Sequence, residues 1–194
     1  TLTHPLDLSG PDFASGRGVG ISRLTPQHVE GWTTELAGTS EDRIADVVQR
    51  NDGSFIAVGS KVVAAVTKDW IVALDGKGQL LWEQSGRIGT LARPTAVHIG
   101  AGGAIAVLAD TISNSVKRIQ LTLLTTEATV LTQRLLGPNG LAAASATLQP
   151  MARLDDLGVL VASAVTKSGK ARLLAVRADA WGHDSCKGAG LCAA

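Results

Sequence analysis

Asp69–Gly86, DWIVALDGKGQLLWEQSG, decides how the rest of the chain is read. Trp70, Val72 and Leu74 alternate with Ile71, Ala73 and Asp75, and both sets are largely apolar. A strand with two apolar faces is one covered on both sides. Asp75-Gly76-Lys77-Gly78 follows, and its glycines reach positive φ at little cost, so a tight hairpin turn fits there. Gln79–Ser85 resumes as a second strand carrying Leu80, Leu81 and Trp82. Two strands cannot bury that surface alone, so further strands are required.

The stretch recurs. Displaced by 50 residues, Arg23–Trp32 falls on Ala73–Trp82, so that Leu24 meets Leu74, Trp32 meets Trp82, and turn meets turn. A further 50 residues on, Leu121, Leu123, Leu124, Val130 and Leu131 fall on Ile71, Ala73, Leu74, Leu80 and Leu81. A second half-unit keeps the same period. Ile44–Ser60 reads as strand, Asn-Asp-Gly turn, strand, and it matches Pro94–Asp110. The third copy needs a displacement of 104, which sets Phe55–Val58 on Val159–Ala162 and Asp75–Gly78 on Asp179–Gly182. An insertion of about four residues near 137–146 accounts for the difference. Leu141–Leu148 is alanine-rich and reads as a loop.

The unit is therefore about 50 residues with four short strands, A to D, near 44–51, 54–60, 69–75 and 79–85. Four antiparallel strands at this spacing, with no helical period anywhere, predict an all-β chain of β-propeller blades. The expected division is a half-blade at 12–37, blades at 38–87 and 88–137, a partial blade at 138–182 and a C-terminal segment at 183–194. That is about three and a half blades, where propellers typically have four to eight. The terminal C-D and A-B-C sets could complete one another into a fourth blade. Otherwise the chain is expected to be a fragment or one processed half, or to assemble with a second chain across its open strand edges.

Ala73-Leu74-Asp75-Gly76-Lys77-Gly78-Gln79-Leu80-Leu81-Trp82 resembles the ALD-x-x-G-x-x-LW repeat of quinoprotein-type propellers. Gly38–Arg43 leading into Ile44–Ser60 is similar to a second group, the secreted bacterial β-propeller repeats with GG-S-x-D-D before the first strand and DG-x-x-x-V-x-G in the next hairpin. The second group is the better match. The resemblance spans about 17–182 and is strongest over 38–86. Both groups imply a propeller. The quinone cofactor ligands and metal site of the first have no matching residues here, so that activity is not implied.

Composition narrows the function. The chain has 194 residues, 45% of them hydrophobic, 22 glycines and a net charge of +1, which argues against disorder and against a basic nucleic-acid surface. It has no tyrosine and two phenylalanines, too few aromatics for a platform that stacks bases. No apolar run approaches the roughly 20 residues needed to span a bilayer. The chain opens at Thr1 with no signal peptide, which is expected to have been removed or to lie further upstream in a longer protein.

Cys186 and Cys192 are separated by a glycine-rich spacer that lets the chain fold back, so a local disulfide is the leading reading, with modest stabilisation from its short loop. Free thiols and a metal site shared with His183 and Asp184 are the alternatives, though CxxxxxC is not a zinc spacing. The disulfide reading places the protein in an oxidising compartment: secreted, periplasmic or on the cell surface.

No catalytic, cofactor or metal residue stands out. His4, His28, His98 and His183 are scattered and lack ligand spacing. Asp42, Asp46 and Asp52, and the Asp155-Asp156 pair, sit where acidic side chains stabilise turns; calcium is the one ion they would suit, and only weakly, because the EF-hand spacing is absent. Gly16–Gly20 resembles a phosphate loop but aligns with a strand and precedes no helix. Thr1 as an N-terminal nucleophile has no supporting residue, and there is no GxSxG. Trp32, Trp70 and Trp82 read as blade packing. Trp181 aligns with Lys77 in a turn and is the candidate exposed contact, against packing over the C-terminal segment.

The expectation is a non-enzymatic binding or scaffold module from an exported bacterial protein. Its partner would be another chain, or secondarily a glycan, with no nucleic acid and no membrane span. The alternative is a hydrolase, or a quinone- or metal-dependent enzyme, built from loops on a propeller face.

Overall fold

The computed structural model describes residues 18–25, 27, 29–36, 38–89, 92–113, 116–136, 142–143, 151–153, 159–167 and 170–178. They form β1 (Val19–Leu24), β2 (Glu30–Leu36), β3 (Arg43–Gln49), β4 (Phe55–Val63), β5 (Val66–Leu74), β6 (Leu80–Ser85), β7 (Arg93–Ile99), β8 (Ile105–Ser113), β9 (Val116–Leu124), β10 (Val130–Leu136), β11 (Ala142–Ala143), β12 (Met151–Arg153), β13 (Val159–Lys167) and β14 (Lys170–Ala178). A 3-10 turn, Ala101–Gly103, lies between β7 and β8. The fold is all-β: consecutive four-stranded antiparallel propeller blades, β3-β4-β5-β6 and β7-β8-β9-β10, preceded by the pair β1-β2 and followed by a sheet of β11 to β14.

The 50-residue period reappears in the register. Leu24 pairs Glu30, Leu74 pairs Leu80 and Leu124 pairs Val130, each beside a bulge that leaves Gly31, Leu81 and Leu131 unpaired. The first, or inner, strand of each full blade bulges, at Ala45 in β3 and at Thr95 in β7. The turns repeat too. The N–H groups of Thr25, Asp75 and Thr125 donate to the carbonyls of Val29, Gln79 and Thr129, and those of Arg50 and Gly100 donate to Ser54 and Ala104. The displacement of 104 holds at the third sheet, where Arg153 pairs Val159 as Gln49 pairs Phe55, and Val159 pairs Ala178 as Phe55 pairs Leu74.

Alternation along the central strands explains the stacking. Trp70, Val72 and Leu74, with Phe55 and Ala57, pack on Ile21 and Leu36 of the first pair. Ile71 and Ala73, with Ile56 and Val58, face the other way onto Val97, Ile105, Val107 and Leu124. Ala106, Leu108, Ile119 and Leu121 then meet Val161 and Val176. Each blade thus supplies one wall to each of two apolar layers. A fully buried Ile or Leu contributes about 1.5–3 kcal/mol, so a layer of this kind outweighs any single polar contact between blades.

Leu141–Leu148 departs from the loop reading, because Ala142 and Ala143 form β11 and pair with Thr166 and Val165. β12 covers only Val159–Val161 of β13, so the far half of that strand would otherwise lack an inner partner for its backbone groups. β11 and β12 thus pair with different parts of β13.

Candidate functional site

The aspartates singled out from sequence sit in three separate places. Asp42 lies before β3, where its carboxylate accepts Thr39 N–H at 2.8 Å, Thr39 Oγ1–H at 3.0 Å and Val62 N–H at 2.7 Å. Burial pushes this carboxyl up, but those donors together with the Lys61 charge outweigh it, and the group titrates below its ordinary range. Asp52 closes the β3–β4 turn by accepting the N–H and hydroxyl of Ser54 at 2.9 and 2.6 Å, which lowers its pKa.

Asp46 has a different task. The bulge at Ala45 lets its carboxylate reach out of the sheet. Oδ1 accepts Val47 N–H at 2.8 Å, and Oδ2 accepts Val97 N–H at 2.9 Å on the inner strand of the next blade. Burial raises its pKa, against the lowering effect of both N–H groups and of nearby His98. Asp46 is a clasp between blades. Among the described residues, no group of three His, Cys, Asp or Glu side chains is placed to hold a metal ion.

Further clasps join successive blades through the β5–β6 and β9–β10 turns. Thr34 Oγ1 donates to the Gly78 carbonyl. One unit on, Gln84 Nε2 donates to the Glu127 carbonyl at 3.0 Å, and Arg50 Nη2 to the Thr126 carbonyl at 3.0 Å. Trp32 packs edge-on against Phe55, with ring centroids 5.5 Å apart. Trp70 is buried, and its Nε1–H donates to Glu83 at 2.9 Å while Lys61 Nζ lies 4.7 Å from its ring. Trp82 is half-buried against the layer between the two full blades.

A recess of about 570 Å³ opens between these two blades, at the end where β3 and β7 begin. Arg43 and Arg93, the first residues of those inner strands, both line it, one from each blade. Ser60, the ladder partner of Arg43, and Thr67 add hydroxyls, and Glu41 adds a carboxylate. Ile44 and Pro94 supply apolar wall. Gly59 shapes the recess, because a Cβ there would lie 1.9 Å from the Arg43 carbonyl oxygen, so β3 and β4 approach closely at the bulge. Both arginines are exposed, and neither forms an ion pair with a described residue. An arrangement of this kind can bind an anion.

Neither arginine was singled out from sequence. The signal was present: aligning Arg43–Val48 with Arg93–His98 at the 50-residue period superposes them. His98 lies half-buried in β7, and Gly20 lies in β1. Trp181, Cys186, Cys192, Asp155, Asp156, Thr1, Gly16, Arg17, His4, His28 and His183 lie outside the described residues.

No family model matches the chain, and no curated protein sequence matches it. Among solved structures it is similar to an endo-arabinase from Bacteroides thetaiotaomicron, with a TM-score of 0.48 and 12% identity over 77% of this chain. The chain spans 64% of that enzyme's length. A likeness of that extent does not bear on activity. Among the described residues, no helix is long and apolar enough to cross a membrane.

Proposed function

We propose that this chain is a non-enzymatic propeller module of an exported bacterial protein that binds a partner protein, with a glycan as the second ligand class. Export is supported by the similarity of Gly38–Ser60 to the secreted bacterial propeller repeats. The observation that carries the binding role is the division of labour among charged groups. The carboxylates of Asp42, Asp46 and Asp52 are taken up by N–H and hydroxyl donors of the fold itself. Arg43 and Arg93 instead line an open recess between blades. These three carboxylates are used up within the fold, Asp46 between blades and Asp42 and Asp52 within one, whereas the arginines of the recess are exposed to a ligand.

The test is retention on the immobilised chain of a phage-displayed dodecapeptide library and of a panel of neutral and uronic-acid polysaccharides, alongside turnover of chromogenic glycosides and esters. Specific retention without turnover is expected. Turnover that survives repurification, or retention of neither peptides nor polysaccharides, would sink the reading.

A further inference from the structure

We infer that the recess between the two full blades is a docking pocket for one carboxylate side chain on an extended segment of the partner protein. This rests on the binding role proposed above and names its ligand chemistry. The two arginines occupy the same repeat position on consecutive inner strands, so the repeat itself brings one from each blade to the lining of one opening. A guanidinium offers a planar fork of donors that matches a carboxylate. Ser60 and Thr67 add neutral donors, and Ile44 and Pro94 supply apolar surface for residues flanking the acid.

Charge chooses the occupant. Two arginines and Glu41 leave one net positive charge in the lining, which balances a single carboxylate. A polyanion would bring further charges against Glu41. A sugar-binding site would want an aromatic ring to stack on, and among the described residues no aromatic side chain lines the recess. A volume of about 570 Å³ leaves room for more than one side chain. An acidic peptide segment satisfies all of these features; a polyuronate satisfies only the charge of the arginines.

The experiment is selection from the same displayed library on the wild-type chain and on R43Q, R93Q and the double variant. Circular dichroism of each variant reports that these exposed substitutions leave the fold intact. Wild type is expected to enrich one Asp or Glu at a fixed position among apolar neighbours. The synthetic selected peptide should bind roughly tenfold more weakly for each arginine replaced, and its Glu→Gln form should lose a comparable factor. R43K/R93K, which keeps the charge and loses the fork, should recover only part of that loss. Peptides enriched without an acid, or bound equally by the double variant, would overturn the inference while leaving the binding module standing. Arginine-dependent retention of polygalacturonate in place of peptides would also overturn it, in favour of a glycan. No retention of any probe would remove the binding role itself.

Discussion

The blades β3–β6 and β7–β10 share a ladder and differ in almost every side chain that is not core. Residue 75 is Asp in one and its counterpart 125 is Thr in the other, yet both hold the turn the same way. Asp75 Oδ1 accepts Lys77 and Gln79 N–H, and Thr125 Oγ1 accepts Glu127 and Thr129 N–H. Trp70 and Glu83, bonded to each other in the first blade, become Gln120 and Gln133 in the second. Both amides donate to the Ile88 carbonyl, at 2.9 and 2.7 Å, and so grip the segment joining the blades. Asp46, the clasp at the first junction, becomes buried Ala96 at the second, where Val161 and Val176 supply apolar cover. The difference teaches that the repeat preserves backbone demands. Whatever side chain meets the demand is free to change.

The largest break of that comparison is at Trp70. Trp70→Ala should cost about 3–5 kcal/mol in urea unfolding, since a fully buried ring is removed. Gln120→Ala at the matching position should cost about 1–2 kcal/mol, because Gln133 still reaches the Ile88 carbonyl. Equal losses at the two sites would mean that the blades are not built on the alternative solutions described.

Next comes the clasp. Asp46→Ala strips acceptors from Val47 and Val97 N–H and should cost about 1–3 kcal/mol. Ala96→Asp would place a charge in an apolar layer and should be worse. The two aspartates also oppose each other in pH. The folded pKa of Asp42 is lowered, so its contribution is present above the ordinary 3.8 and fades as pH falls through the folded value. The folded pKa of Asp46 is raised, so its contribution is greatest below 3.8 and fades as pH rises through the folded value. In chemical unfolding from pH 3 to 7, the stability advantage of wild type over D42N should grow with pH, while that over D46N should shrink. Parallel trends would refute the assignment.

The turn position 78/128 gives an unequal pair of effects. Both residues adopt positive φ, 81° for Gly78 and 60° for Ala128. A Cβ on Gly78 would fall 2.4 Å from the Trp32 ring, so Gly78→Ala should destabilise by about 1–3 kcal/mol and loosen the contact with the preceding pair. Ala128→Gly should change stability by under about 1 kcal/mol, because relief of the left-handed strain offsets the added chain entropy. A similarly modest effect is expected at Gln84→Ala, about 0.5–1.5 kcal/mol for its bond to the Glu127 carbonyl, read as a shift in urea midpoint.

Much of the fold was legible because burial on two faces leaves a mark at every residue. The split of Trp70, Val72 and Leu74 from Ile71 and Ala73 became the division between two apolar layers. The displacement of 104 became a pairing register. The candidate site was legible only in hindsight. Arg43 and Arg93 are ordinary exposed strand residues until two blades are set side by side. Asp46 reads like any acidic residue near a turn until the bulge at Ala45 turns it outward. β11 was missed because Ala142 and Ala143 carry no strand pattern, and their pairing answers a vacancy on β13 rather than any preference of their own.

The sequence by itself determined the period, the strands of the two full blades and the order in which they pair, since alternation and turn chemistry are local properties repeated every 50 residues. Only the tertiary structure decided which side chains cross between blades. Those contacts join residues such as Asp46 and Val97, or Arg50 and Thr126, through space at distances set by bulges and stacking. A periodic sequence repeats the positions on each blade, but the gap between blades, and thus the clasp and the recess, exists only once the layers have packed.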